Sequence, residues 1–575
     1  MKKILPILNL FKCPEQSSAV FVRLILLALL ICLVLVANPG FYSHDELEKV
    51  DHILRYGFAD YFKDYVTLKP GEGFAFAVRP VAYFVEGVVS LFFHKYPFLI
   101  HMTDVLMHAI VAYLLFIAAL RLSGNRKVAW AGALIFLANP LVSFSVGWSG
   151  ALMDRLYLLF GLLAFIAAHN YIKREGGVKS LVAVFAASLM AMLSKETALI
   201  LPLTLLAFPL FSVENIKSKR LWAAFGVWAV PVLLFMLYRL PELIASFTVQ
   251  SASPYSASVA HVPQGIFVYF IYPFLPFLTE SHNWALQSPA FIGIAVVGHL
   301  ALLAVLWLAF SYRAVLAYLF GYVLFLIPIL FIPGTGSHYL YGSGIAFSLG
   351  IGALLAMERE HPQKTLLRAI PLVLLAIAVL HTLLNQQYFY KTGLCMDSVE
   401  NTVESAYLAD GKPDSMSVLI NPDAPGHVLA RFLHNKEMIG SYFPVKFQVV
   451  SWEQRQETKY DYIFNCDCLV HKLEPFKLAV KNWGPQSTPL NVIPNQQPDG
   501  SGALWIEVPD TKDVGELQVM IGGQAATLTS IQPQVITAAF PPELFSQPGE
   551  KEIAIKKVAT GQVLPIGRFV VEPAR

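Results

Sequence analysis

Long apolar runs fill the chain as far as about residue 390, and they constrain the fold more than any other feature of the sequence. A run of about 20 residues with few charges is long enough to cross the hydrocarbon core of a bilayer. Such runs cover residues 18–38, 98–121, 128–147, 151–172, 179–194, 196–212, 221–239, 290–311, 314–333, 338–356 and 368–387. The sequence therefore predicts an α-helical polytopic membrane protein with about eleven transmembrane helices. Composition agrees: 56% of the 575 residues are hydrophobic and 14% are charged, where soluble domains carry about 25%. The 42 Lys and Arg and 39 Asp and Glu leave a formal charge of +3. That charge is too small and too scattered for a nucleic-acid face, and the first partner implied is the lipid bilayer.

The first run reads as a retained anchor, because its apolar stretch is too long for a signal peptide and no small-residue cleavage site follows Ala37 clearly. Basic residues set the expected orientation. Lys2, Lys3 and Lys12 precede the first run, and Arg121, Arg126 and Lys127, then Lys173, Arg174 and Lys179, then Lys217, Lys219 and Arg220 mark later loops as cytoplasmic. No Lys or Arg lies between Arg239 and Arg313, which predicts an outside segment over 241–289 with a re-entrant or interfacial stretch at 264–279. Arg313 and the cluster Arg359, Lys364 and Arg368 return the chain to the cytoplasm. The N-terminus is expected inside and everything after residue 387 outside.

The outer tail changes character, with short alternating segments bounded by Pro, Gly, Asn and Asp. Domains are expected over 1–390, with a first external loop at 41–97 carrying amphipathic helices, over 391–497 and over 498–575. The middle one reads as α/β: a strand at 417–421, a helix near 426–436, and strands at 445–452 and 461–466. The last reads as a β-sandwich, with strands near 503–508, 516–521, 534–538, 552–556 and 568–571. It resembles an immunoglobulin-like domain of the IPT/TIG type. Cys13, Cys32, Cys395, Cys466 and Cys468 have neither zinc-finger spacing nor the density of a disulfide framework. Cys395, Cys466 and Cys468 fall in the expected oxidising compartment, where a structural disulfide is compatible with the chain.

An ionisable group at membrane depth is costly and points to function. One such place is Phe41-Tyr42-Ser43-His44-Asp45-Glu46, after which Leu47, Val50, Leu54 and Phe58 form the apolar face of an amphipathic surface helix. Asp45 and Glu46 suit proton transfer, but Ser43 with Glu46 also fits a capping box. Another is Trp148-Ser149-Gly150 followed by Asp154 and Arg155, readable as an interfacial ion pair with a Trp anchor or as a second carboxylate facing a cavity. A third is Ser194-Lys195-Glu196-Thr197, amid an apolar stretch from Leu181 to Phe211 that would be about 45 Å long as one helix. A hairpin with a recessed tip resolves that length and places Lys195 and Glu196 near a lipid phosphate; a snorkelling turn is the alternative. The fourth, Pro333 to Tyr341, is Gly-rich and includes His338 and Tyr339, which can donate to phosphate oxygens, although a Gly-rich turn needs no ligand.

In order along the chain, these segments resemble the GT-C superfamily of polytopic glycosyltransferases, in the pattern of the protein O-mannosyltransferase and TMTC-like branch. The resemblance rests on His44-Asp45-Glu46, Arg79-Pro80-Val81-Ala82-Tyr83, His101-Met-Thr-Asp104-Val-Leu-Met-His108, Ala138-Asn139-Pro140, Ser194-Lys195-Glu196 and His338-Tyr339-Leu340-Tyr341, and spans roughly residues 18–390. Asn139-Pro140 stands where relatives often have His-Pro, and His338 where an Arg is common. The outer tail lacks the tetratricopeptide repeats of the TMTC branch.

The resemblance implies a polyprenyl-phosphate-linked sugar donor and inverting transfer to a protein or glycan acceptor on the outer face of a bacterial inner membrane. Asp45 is then the expected base, with Glu46 as substitute, and Asp154 orients the acceptor or holds a cation. Arg79, Lys195, Glu196, Arg239, His338 and Tyr339 are expected at the donor phosphate. No protein-bound metal site is assigned, although the chemistry is compatible with magnesium or manganese. A transporter or flippase, or a non-catalytic scaffold, is the alternative; the former predicts internal repeats, and none is apparent in the sequence.

Overall fold

The computed structural model describes residues 17–41, 44–66, 79–207, 217–248, 258–275, 288–332, 336–357, 364–411, 414–421 and 446–573, apart from 453, 455–459, 466, 474–475, 513 and 560. It divides near residue 400 into a helical unit and a β-rich unit.

The helical unit begins with α1 (Ser17–Ile31) and a further turn at Leu33–Val36, then α2 (His44–Tyr56), α3 (Phe58–Val66), α4 (Pro80–Phe93) and α5 (Pro97–Ser123). α6 (Arg126–Leu137), α7 (Pro140–Gly147), α8 (Leu152–Ile172) and α9 (Val178–Met192) follow. A 3-10 helix, Glu196–Ala207, precedes α10 (Lys219–Thr248), α11 (Val262–Ile271), α12 (Pro289–Ala309), α13 (Tyr312–Leu324), α14 (Ser343–Leu355) and α15 (Lys364–Ala409). Sequence chemistry sets many boundaries. Pro occupies the first turn of α4, α5, α7 and α12, where its missing N–H is not needed. Gly124 ends α5 in a left-handed conformation, and the next residue, Asn125, caps α6 by accepting the Lys127 and Val128 N–H groups.

Among the described residues, five helical segments can span a bilayer by length and apolarity: Pro97–Ser123, Ser149–Ile172, Lys219–Arg239, Pro289–Ala309 and Ala369–Ala409. The expected span at 128–147 is instead the pair α6 and α7, bent by 50°; counted as one span it raises the number to six. The bend falls at Asn139, whose side chain accepts the Leu141 N–H and donates to Gly344 O and Ser348 Oγ. Thr382 Oγ1 donates to the Ala138 carbonyl, so polar groups freed at the break are satisfied inside the bundle. The remaining apolar segments of the expected eleven are shorter helices, Ser18–Ile31, Val178–Met192, Glu196–Leu206, Tyr312–Leu324 and Ser343–Leu355. α11, with ten residues, reaches only about 15 Å and cannot cross. The last helix runs on past the expected end at 387. Its polar second half buries Met396, Val399, Val403 and Tyr407 at three- and four-residue spacing, which keeps a helix amphipathic without long apolar runs.

α2 differs from a simple surface helix. Its buried face comprises Glu46, Lys49, Val50 and Ile53, while Leu54, expected on the apolar face, is exposed. Lys49 pairs with Glu86 of α4 at 2.6 Å, so the buried charge has a partner.

In the second unit β1 (Ser415–Ile420), β2 (Lys446–Val450), β3 (Tyr462–Phe464) and β4 (Val470–Lys472) form one sheet in the order β2-β1-β3-β4. β1 is parallel to both β2 and β3, as an α/β unit requires. The expected helix near 426–436 lies outside the described residues. Beyond it come β5 (Asn482–Gly484), β6 (Ser487–Pro489), β7 (Gly502–Glu507), β8 (Leu517–Ile521), β9 (Gln524–Ala525), β10 (Leu528–Gln532), β11 (Val535–Phe540), β12 (Gly549–Lys557) and β13 (Val563–Glu572). They form two sheets, β10-β11-β7-β5 and β6-β13-β12-β8-β9, over a shared core that includes Leu504, Ile536, Val519, Ile555 and Phe569. β5 and β6 join these sheets from upstream of residue 498. β5 and β6, with three residues each, carry too little alternation of their own to be read from sequence, whereas β3, equally short, falls inside the run expected at 461–466. Cys395 and Cys468 are each disulfide-bonded, and Cys32 is free and buried.

Candidate active site

α9 ends at a polar break. Ser194 Oγ donates to the Met190 carbonyl at 2.7 Å, the Lys195 N–H reaches the Ala191 carbonyl, and a 3-10 helix starts at Glu196. The start of α4 is fastened to this break by a hydrogen bond from the Val81 N–H to Leu193 O, 3.0 Å long. That contact brings Arg79, the residue preceding α4, to Glu196: Arg79 Nε lies 2.9 and 3.2 Å from the two carboxylate oxygens, and a terminal guanidinium nitrogen 2.9 Å from Oε2. The fork geometry fixes both groups. The neighbouring Lys195 points another way. Its Nζ lies 2.5 Å from Asp154 Oδ1 in the first turn of α8 and 4.9 Å from the centre of the Tyr339 ring. Both Lys195 and Asp154 are less than 5% exposed, so neither snorkels to a surface. Asp154 Oδ2 has no hydrogen-bond partner among the described residues.

His338 and Tyr339 sit on a short 3-10 turn, Ser337–Tyr341, with ring centroids 3.9 Å apart. Trp148 meets His338 edge-on at 4.9 Å, and Ser145 Oγ donates to the His338 carbonyl. Gly336 leaves room for the rings, because a Cβ at that position would lie 2.6 Å from the His338 ring in its present place. Arg239, 2% exposed at the end of its span, is within electrostatic reach of Glu196.

Asp154 and Arg155 face different neighbours instead of forming one interfacial pair. Arg155, fully buried, donates to Asp104 Oδ1 on α5 at 2.5 Å. Ser149 Oγ donates to Asp104 Oδ2, also at 2.5 Å, and the Ser149 N–H donates to Glu46 Oε1 at 2.7 Å. The structure thus unites Arg79, Lys195, Glu196, Asp154, His338 and Tyr339, and ties Glu46 to the 3-10 turn Ser149–Ala151 that leads into α8. Asp45 lies in the first turn of α2, but its side chain and that of His44 are outside the described residues, as are Ser43 and residues 333–335. Asp104 was missed as a site residue. Its signal was its place as the sole acidic residue in an otherwise apolar run.

Further along α8 and the 3-10 helix is a cavity of about 480 Å³. It begins at Leu158, one turn beyond Asp154, and at Leu201, five residues beyond Glu196, and runs to Asn125 and Phe310 at the opposite helix ends. Apart from Ser123, Asn125, Thr204 and Tyr318 its walls are apolar or glycine. Among the described residues no three His, Cys, Asp or Glu side chains are grouped to hold a metal ion.

No family model and no curated protein matches the chain. Two crystal structures of ArnT from Cupriavidus metallidurans are similar to it. The apo structure aligns at 15% identity and TM-score 0.43, over 75% of this chain and 86% of ArnT. The structure with undecaprenyl phosphate bound aligns at 14% identity and TM-score 0.40, over 74% and 85%. A likeness of this extent leaves function to be argued from the site itself.

Proposed function

We propose that the chain is a glycosyltransferase that moves a sugar from a polyprenyl-phosphate donor to an extracytoplasmic acceptor, a protein or surface glycan, with inversion. The observation that carries this reading is the buried charge cluster of Arg79, Glu196, Lys195 and Asp154, with an apolar cavity whose wall includes Leu158, one helical turn beyond Asp154 on α8. A lipid phosphate needs fixed cations for its head and an apolar passage for its tail, and α8 carries a residue of each one turn apart, Asp154 in the cluster and Leu158 in the cavity wall. A cavity of this size and lining falls in the range of ligand-binding sites, a few hundred to about 1,000 Å³.

In this mechanism Asp45 removes the proton from the acceptor hydroxyl as its oxygen attacks the anomeric carbon. The bond from that carbon to the phosphate oxygen breaks, and the polyprenyl phosphate leaves with the electron pair. Lys195 and Arg79, with donors from His338 and Tyr339, stabilise the charge that develops on the phosphate; fixed donors act most strongly where water is excluded. Arg239 reinforces the positive side through Glu196. The open Oδ2 of Asp154 orients the acceptor. Glu46, occupied by the Ser149 N–H, is a positioning group. The inner membrane is the proposed location, with the N-terminus cytoplasmic and the β-rich unit outside.

Transfer assayed with the full chain in detergent against a panel of polyprenyl-phosphate hexoses and pentoses tests the reading. The Asp45→Asn protein should lose about 10²- to 10⁴-fold in kcat while still binding undecaprenyl phosphate. Full activity in that variant removes Asp45 as the base. Absence of transfer from every donor, with movement of lipid-linked sugar across vesicles, replaces the enzyme by a flippase.

A further inference from the structure

The motif His101-Met-Thr-Asp104-Val-Leu-Met-His108 has no role in the chemistry above, yet its two histidines and its aspartate lie at i, i+3 and i+7, on one face of α5. All three are buried, and each makes a long-range polar contact. His101 Nε2 lies 2.9 Å from Gly40 O. Asp104 holds Ser149 and Arg155, and Ser149 in turn holds Glu46. His108 Nδ1 lies 2.9 Å from the Tyr341 hydroxyl, two residues beyond Tyr339.

Gly40 and Glu46 bracket Asp45 in sequence. The segment before Asp45 is fastened again by Asn38, which donates to Phe389 O and accepts the Gly40 N–H. The same helical face therefore grips the chain on both sides of the proposed base, directly at Gly40 and through Ser149 at Glu46. It also reaches the turn that carries His338 and Tyr339.

We propose that the His101, Asp104 and His108 face of α5 is the positioning frame of the site, setting the turn that bears Asp45 against the 149–151 turn that leads into α8 and the 337–341 turn. The inference rests on the glycosyltransferase reading for its catalytic consequence, but not for the docking of α2. The frame residues touch no reacting atom. They act by geometry, and small displacements of a catalytic group lower kcat steeply.

Two measurements on the full chain test the frame. Hydrogen exchange over residues 44–56 reads docking, and kcat against donor KM reads its consequence. Glu46→Ala and Ser149→Ala should speed exchange at 44–56 by about tenfold or more and lower kcat by 10- to 100-fold with donor KM unchanged. Glu46→Gln keeps an oxygen able to accept the Ser149 N–H and should stay within about threefold of the parent in both. Asp104→Asn keeps one oxygen acceptor, for Arg155, and turns an amide NH2 toward the Ser149 hydroxyl, so it should fall between Ser149→Ala and the parent. Glu46→Gln as inactive as Glu46→Ala would make Glu46 a proton carrier and overturn the proposal. Unchanged exchange at 44–56 in both Ser149→Ala and Glu46→Ala would do so too. If the parent transfers no sugar, the enzyme reading fails by itself, while exchange still decides whether the frame docks α2.

Discussion

At the scale of single residues, the site is a set of buried charges that are stable only in company. Removing one partner of a buried ion pair costs about 3–5 kcal/mol, whereas replacing both with apolar groups is often close to neutral. Lys195→Met should therefore destabilise the protein by about that amount in thermal melts, and adding Asp154→Leu should recover most of the loss. Neither protein should transfer sugar, so stability and activity separate. Outside the membrane, hydrogen bonds from Lys472 and Tyr462 hold the Asp410 carboxyl below its usual range. A carboxyl lowered on folding adds stability above its unfolded pKa of about 4 and loses it as pH falls through the lowered folded value. Asp410→Asn should accordingly flatten the acid side of the stability profile and leave its slope at neutral pH unchanged, as read by melting across pH. Lys195, Glu196 and Asp154 were legible in the sequence because charge is rare in such runs. Their pairings were not, since Arg79 meets Glu196 only after a helix break and a contact between segments more than a hundred residues apart.

Elements were legible by their ends more than by their lengths. Pro97 announces where α5 starts, Gly124 where it stops and Asn125 where α6 begins, but an apolar run says nothing about a 50° bend inside it. Asn139-Pro140 read as a departure from a family motif; in the fold it is the cap that makes the bend tolerable. Asn139→Ala strips partners from Leu141, Gly344 and Ser348 and should cost about 1–3 kcal/mol in thermal unfolding. The contact between α6 and α14 depends on small residues in the same way. A Cβ on Gly352 would sit 2.7 Å from the Gly132 backbone nitrogen, and neither backbone can yield locally. Gly352→Ala should therefore cost about 1–3 kcal/mol, as overpacking does, in the same measurement.

For the whole molecule, the proposed orientation puts the Arg174 loop and the β13 end of the sandwich on opposite sides of the membrane. A membrane-impermeant maleimide added to intact spheroplasts should label Val563→Cys, whereas Arg174→Cys should react only after lysis. The reverse pattern inverts the orientation and moves the proposed chemistry to the cytoplasmic face. At this scale the sequence was informative about partition, with apolar helices first and alternating strands after. It was blind to the three-residue strands β5 and β6, which take their place from neighbours and not from their own alternation.

The adjacency of Asp154 and Arg155 has one more consequence. Successive residues on a helix point about 100° apart, which lets one address Lys195 and the other Asp104. Exchanging the two, as Asp154→Arg with Arg155→Asp, leaves length, net charge, composition and hydropathy untouched. It would nevertheless set cation against cation at Lys195 and acid against acid at Asp104. The information that builds this site is carried by order alone, a single transposition that no compositional measure of the chain can register.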